Sequence, residues 1–267
     1  MPMMAAADIM TILAGGIVGV VLGLIGGGGS VLAVPLLVYG VGVASPHVAI
    51  GTSAIAVSAS ALANLLAHWR ARNVSWRCAA VFSLAGVAGA YIGSTIAKAV
   101  DGQRLLALFG LLMIVVGVAM LRKPRRVENH DVRLTYATAT KLVPHLVATG
   151  LGIGGLSGFF GIGGGFLIVP GLMAATGMPI MRAIGTSLVS VTIFGATTAS
   201  NYAVSGLVNW RLASIFIIGG IGGGFIGVAI GKTLSHQKGV LRVVFGVTVV
   251  AVGLYVSARG LSHWINA

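Results

Sequence analysis

Charged residues are scarce in this chain, and acidic ones are almost missing. Only 8% of the 267 residues are charged, and four of those are acidic. Soluble domains carry about 25% charged residues, so a soluble fold is excluded. The acidic residues all lie outside the apolar runs: Asp8, Asp101, Glu128 and Asp131. Carriers of cations or protons usually keep a carboxylate within the membrane, so this distribution argues against a cation substrate and excludes proton coupling by such a carboxylate.

Cysteine is nearly absent too, and enzyme motifs fail. Cys78 is the single cysteine, so no intrachain disulfide and no cysteine-based metal site can form. The histidines have no metal-ligand spacing, and no HExxH motif occurs. The stretch 155–158 (GLSG) matches an intramembrane serine protease motif, but no later buried histidine is available as a base. We therefore predict a protein that is not an enzyme and has no metal and no cofactor.

What the chain does contain is apolar sequence. Hydrophobic residues make up 57% of it, and its 17 basic residues lie mostly in short segments between apolar runs. This placement is typical of membrane orientation and argues against nucleic-acid binding, despite a net charge of +13. Lipid offers no hydrogen-bond partner to open strand edges. We predict an all-α polytopic membrane protein.

The sequence is repeated internally. The stretch 26–35 (GGGGSVLAVP) returns as 161–170 (GIGGGFLIVP), and 50–53 (IGTS) returns as 184–187 (IGTS). Residues 74–77 (VSWR) return as 208–211 (VNWR). A glycine triplet also recurs with the same spacing: Gly86, Gly89 and Gly93, then Gly220, Gly223 and Gly227. The chain is therefore two homologous halves, and we assign the triplets to close helix packing.

These observations predict a first membrane repeat over 1–122, a cytoplasmic basic linker over 123–135 and a second repeat over 136–267. The apolar segments 29–42 and 163–177 are too short to cross a bilayer about 30 Å thick. If each continues a broken first helix, the protein has eight spans and a parallel repeat. If each returns separately, it has about ten segments and an inverted repeat. The positive-inside rule favours the inverted arrangement.

The two glycine-rich stretches are the candidate substrate site. Clustered glycines weaken a helix by about 1 kcal/mol each, and the prolines Pro35 and Pro170 follow as the expected hinges or helix breaks. A half-helix that starts after such a break points unpaired N–H groups at the gap and attracts anions. The candidate binding residues at the breaks are Gly26, Gly28, Gly29, Ser30, Gly161, Gly163, Gly164 and Gly165.

Polar residues in the following spans complete the candidate site. Their hydroxyl and amide groups can donate to the oxygens of an anion, although hydroxyls also bond to their own helix carbonyls. These candidates are Thr52, Ser53, Thr186, Ser187, Asn64 and Asn201.

The doubled GxGGGxxxxP pattern, the IGTS pair and the VxWR turns together resemble the sulfite exporter TauE/SafE family of membrane permeases. The resemblance extends from about Gly23 to Tyr255. One departure is Ser30, which stands where the second copy has Gly165. The resemblance implies a bacterial cytoplasmic (inner) membrane carrier for small sulfur-containing anions such as sulfite or organosulfonates.

We therefore expect a secondary transporter with alternating access around the glycine breaks. A passive anion channel and a non-transporting membrane accessory protein are the alternatives that the sequence leaves open. The expected partners are a small anionic substrate and the lipid bilayer, a homodimer is allowed, and no nucleic acid is expected.

Overall fold

The chain folds into helices. The computed structural model describes residues 2–121, 136–161, 165–233 and 238–265, and no strand occurs among them. The predicted linker 123–135 lies outside the described residues. In the first half the helices are α1 (Pro2–Ile25), α2 (Ala33–Pro35), α3 (Pro46–Arg70), α4 (Trp76–Lys98) and α5 (Gly102–Leu121). In the second half they are α6 (Tyr136–Phe160), α7 (Gly165–Thr176), α8 (Ile180–Val204), α9 (Trp210–Thr233) and α10 (Lys238–Ile265).

The helices suit a membrane. Within the described ranges, seven of them, α1, α3 to α6, α8 and α9, are long and apolar enough to cross a bilayer. Three shorter apolar stretches accompany them at 28–40, 165–176 and 246–259. The first two of these are the segments that the sequence marks as too short to span. The predicted all-α polytopic membrane fold is confirmed.

Glycines bring α1 of the first half onto α9 of the second. Gly15 lies against the backbone of Phe216, Gly19 against Gly220, and Gly23 against Gly224. Because both residue numbers rise together along the contact, the two helices run in the same direction. Lipid supplies no hydrophobic force between helices, so this close backbone approach provides the packing energy.

The same contact recurs between α6 and α4, with the halves exchanged. Three glycines of α6 each lie against a backbone carbonyl of α4, and these helices also run in the same direction. The pairs are Gly150 with Phe82, Gly154 with Gly86, and Gly158 with Ala90. The predicted packing role of the glycine triplets is confirmed, because Gly86, Gly89 and Gly93 all lie on this interface, and Gly223 and Gly227 lie on the α1–α9 interface.

Helices that correspond between the halves run antiparallel where they meet. Gly51, near the start of α3, lies against the carbonyl of Leu207, just beyond the end of α8. Gly185, near the start of α8, lies against the carbonyl of Asn73, just beyond the end of α3. In the same way α5 and α10 cross with opposite directions, since Gly110 contacts Gly253 and Gly117 contacts Gly246. Helices α3 and α8 are the most buried of the spanning helices and form the centre of the protein.

We predict that Gly19→Val destabilises the protein and that Gly222→Val does not. A Cβ at Gly19 would overlap the Gly220 carbonyl, whereas a Cβ at Gly222 meets nothing within 4 Å. Overpacking of this kind costs about 1–3 kcal/mol or more. Both changes introduce the same β-branched residue into a helix, so the comparison isolates the contact. The measurement is Tm in detergent, and equal values for the two variants would contradict the packing assignment.

Candidate substrate site at two helix breaks

The first break segment, residues 26–40, turns back along α1. It begins as a 3-10 helix over Gly26–Leu32, passes through α2 and ends as a π-helix over Leu36–Gly40. Gly29 lies against the backbone of α1 at Val18 and Leu22, which fixes the reversal. Gly28, Gly29 and Ser30 are buried.

Pro35 lies where this segment changes its helical form. It ends α2 and immediately precedes the π-helix, where the N–H of Val41 reaches back to the carbonyl of Leu36 at 2.9 Å. Because proline has no N–H, the regular hydrogen-bond ladder is interrupted there. Pro170, by contrast, lies inside α7, which continues through it. In the second half the helix therefore stops at the glycines and not at Pro170.

The second break segment comprises residues 161–176. Helix α6 ends at Phe160, and Gly161 turns the chain with a φ of +65° that favours glycine. Helix α7 begins at the buried Gly165. Gly163 and Gly164 lie outside the described residues. A Cβ on Gly161 would overlap the side chain of Ile50, so this turn is seated against the start of α3 in the other half.

The two break segments contact each other. The Gly26–Leu32 portion of the first segment packs against α7 and also against α8. Reversals from both halves therefore meet within the protein.

Ser53 lies beside the second break, and both Ser53 and Ser187 are fully buried. The Ser53 hydroxyl donates to the carbonyl of Ile50 at 2.9 Å and contacts the carbonyl of Gly161 at 3.5 Å. The Ser187 hydroxyl donates to the carbonyl of Ile184 at 2.7 Å. Both serines thus use the bond to their own helix, and Ser53 additionally joins α3 to the second break.

Thr52 and Thr186 hold the beginnings of helices in the opposite half. The Thr52 hydroxyl accepts the backbone N–H of Asn209 at 3.0 Å, and the Thr186 hydroxyl accepts the backbone N–H of Ser75 at 3.0 Å. Asn209 and Ser75 immediately precede α9 and α4, whose first N–H groups lack partners within the helix. Both threonines therefore have a structural role, which the predicted substrate-binding role does not include.

The two asparagines lie away from the breaks. The buried Asn64 donates to the carbonyl of Ser60 at 3.0 Å and packs on Gly224. Asn201 lies near the end of α8 and accepts from the Lys98 ammonium at 2.8 Å. Its amide donates to Ser94 at 2.7 Å. Asn201 therefore belongs to a polar cluster between α4 and α8, and its partner Lys98 is not predictable from the sequence pattern.

Several polar contacts between the halves are not among the predictions from the sequence. Ser58 donates to the carbonyl of Thr192 at 2.7 Å, and the hydroxyls of Ser83 and Ser190 are 2.9 Å apart. The repeat carries a signal for the first pair, because Ser58 and Thr192 occupy equivalent positions 134 residues apart. Residues related in this way meet when two similar halves pack around a common axis.

The two acidic residues that the structure describes, Asp8 and Asp101, lie near the beginnings of helices. Asp8, in the first turns of α1, pairs with Arg211 at 2.7 Å, and Asp101 accepts the backbone N–H groups of Gln103 and Arg104 at 3.1 Å. None of the buried polar residues in the described ranges is acidic. Those ranges also contain no cluster of three or more histidine, cysteine or acidic side chains suited to a metal ion.

We predict that Thr52→Val and Thr186→Val each lower the free energy of unfolding by about 1–3 kcal/mol, because each leaves a backbone N–H without its partner. Thr192→Val is the matched control, since its hydroxyl bonds only to the carbonyl of Leu188 in its own helix, at 2.8 Å. Thermal unfolding in detergent measures the difference. A loss in the control as large as in the two test variants would refute the cross-half role.

Comparison with known proteins places the chain in a family. The family model described as sulfite exporter TauE/SafE matches residues 11–256. A probable membrane transporter protein of Xylella fastidiosa is 53% identical over 254 residues, which cover 94% of this chain and 95% of the relative. The probable membrane transporter protein YunE of Bacillus subtilis is 26% identical, covering 95% and 98% of the two chains.

The probable membrane transporter protein MJ0441 of Methanocaldococcus jannaschii is 28% identical, covering 89% of this chain and 92% of its own. No solved structure gives a significant match. With the membrane-spanning helices described above, these matches identify a multi-pass membrane transporter that belongs to the sulfite exporter TauE/SafE family.

Proposed function

We propose that the protein carries small sulfur-containing anions, such as sulfite or an organosulfonate, across the bacterial cytoplasmic membrane. The observation that carries the proposal is the contact between the two break segments, one from each half. The family description supports the substrate class. The absence of acidic residues among the buried polar groups of the described ranges supports an anion over a cation.

The binding chemistry follows from the helix ends at the breaks. Helix α7 begins at Gly165, and its first N–H groups have no partners within the helix. Such an end attracts an anion through its N–H groups and its dipole, without a charged side chain. Glycines allow an oxyanion to approach the backbone closely. The hydroxyls of Ser53 and Ser187 can turn from their own helix carbonyls to donate to the bound anion.

Alternating access is supported by the directions of the helices. Corresponding helices α3 and α8 run antiparallel, as do α5 and α10, which is the relation expected of an inverted repeat. In such a carrier the two halves rock against each other, and the central site opens to one face of the membrane at a time. We assign the cytoplasmic face to the ends of α3 and the start of α4, where Arg70, Arg72 and Arg77 lie.

Ser53→Ala should weaken anion binding roughly tenfold or more, because a hydrogen bond to a charged group contributes about 1.5–3 kcal/mol. Binding is measured by thermal shift with sulfite, sulfate, thiosulfate, taurine and sulfoacetate, and transport by flux into proteoliposomes. Ser214→Ala is the control, since its hydroxyl makes the same kind of own-helix bond, at 2.9 Å, in an exposed position.

The carrier proposal fails if no sulfur anion shifts Tm or crosses the membrane, or if only cations do. A flux that never saturates with concentration would favour a channel. Unchanged flux in Gly28→Val would favour an accessory protein, because a bulky side chain at this buried glycine should close the site.

We also predict that export is driven by the membrane potential. An anion that leaves a compartment negative inside gains about 2.3 kcal/mol per charge per 100 mV. Efflux from proteoliposomes loaded with the anion should therefore accelerate as a valinomycin-clamped potential becomes more negative inside. Protein-free liposomes provide the baseline. Efflux that is independent of voltage would exclude this uncoupled, electrogenic mechanism.

A further inference from the structure

Helix α3 carries a row of buried polar side chains. Ser53, Ser60, Asn64 and His68 are spaced by seven, four and four residues, so they share one face of the helix. The row begins beside the second break, at Ser53, and ends in the last turn of α3. Ser60 is 1% exposed and His68 is 8% exposed.

Helix α8 carries the corresponding row. Ser187, Thr198 and Tyr202 stand 134 residues after Ser53, Asn64 and His68. Thr198 and Tyr202 are both 0% exposed. The side chains differ in type between the halves, yet both rows remain polar at these positions. Because α3 and α8 are antiparallel, the two rows lead to opposite ends of the helix pair.

Most of these polar atoms have no partner. The hydroxyls of Ser60, Thr198 and Tyr202 and both ring nitrogens of His68 make no hydrogen bond in this structure. A buried polar group left unsatisfied costs about 1–3 kcal/mol. A protein core would carry apolar residues at these positions if they served only for packing. Such groups are suited to contact with water or with a polar ligand that enters the row.

Helix α9 offers Ser60 and Asn64 no side-chain partner where it lies against them. These two residues face the backbone of Gly220 and Gly224, which have no side chains to offer. The row on α8 is interrupted at Phe194, which stands 134 residues after Ser60 and stacks on Phe82 with ring centroids 6.0 Å apart. The α3 row is thus the more continuous of the two.

The chemistry of the rows suits a hydrated anion. Hydroxyl, amide and imidazole groups can all donate hydrogen bonds, and neither row contains a carboxylate that would repel negative charge. This inference rests on the proposed function. We propose that the α3 row and the α8 row line the two paths that lead from the central site to the membrane faces. Water and the anion would contact Ser60, Asn64 and His68 on one path and Thr198 and Tyr202 on the other when the halves move apart.

Cysteine labelling tests this inference directly. The only native thiol, Cys78, is buried and gives the baseline. Ser60→Cys, Asn64→Cys and Thr198→Cys are treated with a water-soluble anionic methanethiosulfonate. The controls are Leu62→Cys and Leu66→Cys, on the exposed face of α3 at 51% and 52% exposure. The reagent reacts with the thiolate, and an apolar lipid environment suppresses ionisation of the thiol. We therefore expect the row variants to react at least about tenfold faster than the controls.

The inference is overturned if variants that keep the parental Tm react no faster at the row positions than at Leu62 and Leu66. Labelling needs no substrate, so its result is separate from the proposed function. If the row variants label rapidly but no sulfur anion is transported, the proposed substrate class is rejected and the proposed paths are retained. If a sulfur anion is transported but the row variants do not label, the proposed paths are rejected and the carrier function is retained. Slower labelling of Asn64→Cys with added sulfoacetate is the further result expected if the anion itself enters the row.

Discussion

Close approach of backbones through glycine is the interaction on which the rest of this structure depends. In lipid, apolar side chains gain nothing by leaving solvent, so helices associate through van der Waals contact and short-range polar bonds. Glycines at 15, 19 and 23 of α1 and at 150, 154 and 158 of α6 allow such contact with α9 and α4. Each of these interfaces joins one half to the other. At the first break a glycine is used in the same way, because Gly29 lies against the backbone of α1 at Val18 and Leu22.

Each half relies on the other for partners to some of its backbone polar groups. The N–H before α9 is accepted by Thr52, and the N–H before α4 is accepted by Thr186, each across the boundary between halves. The second break likewise rests on Ile50 and Ser53 of the first half. A separated half would leave these backbone groups without the partners that they have in the whole protein. The halves are therefore one cooperative unit, and movement between them must preserve these exchanged bonds or replace them.

The repeat made much of this fold predictable. Helicity, the two short segments and the packing glycines all follow from composition and spacing, because these features are local in sequence. The partners of polar side chains are not local. The bond from Asn209 to Thr52 joins residues 157 apart, and the Lys98 cluster depends on where α4 and α8 end in space. The same obstacle applies to Pro170, since its position within α7 depends on where the preceding turn ends. The site is less predictable from the sequence than the fold, because a hydroxyl that can bond to its own helix carbonyl has the same sequence pattern whether or not it contacts a ligand.

The departures from symmetry are as informative as the repeat itself. At the end of α8, Lys98 donates to the backbone and amide oxygens of Asn201 and to the hydroxyl of Ser205. The equivalent positions at the end of α3 are Ala67 and Ala71, which carry no polar side chain. The side-chain bonds of Asn201 and Ser205 to Lys98, which join α8 to α4, therefore have no acceptor side chains at the equivalent positions of α3. In a carrier that opens alternately to two sides, as proposed above, halves with identical sequences would open to both sides at the same free energy. Substitutions that distinguish α8 from α3 would remove that equality and favour one opening over the other.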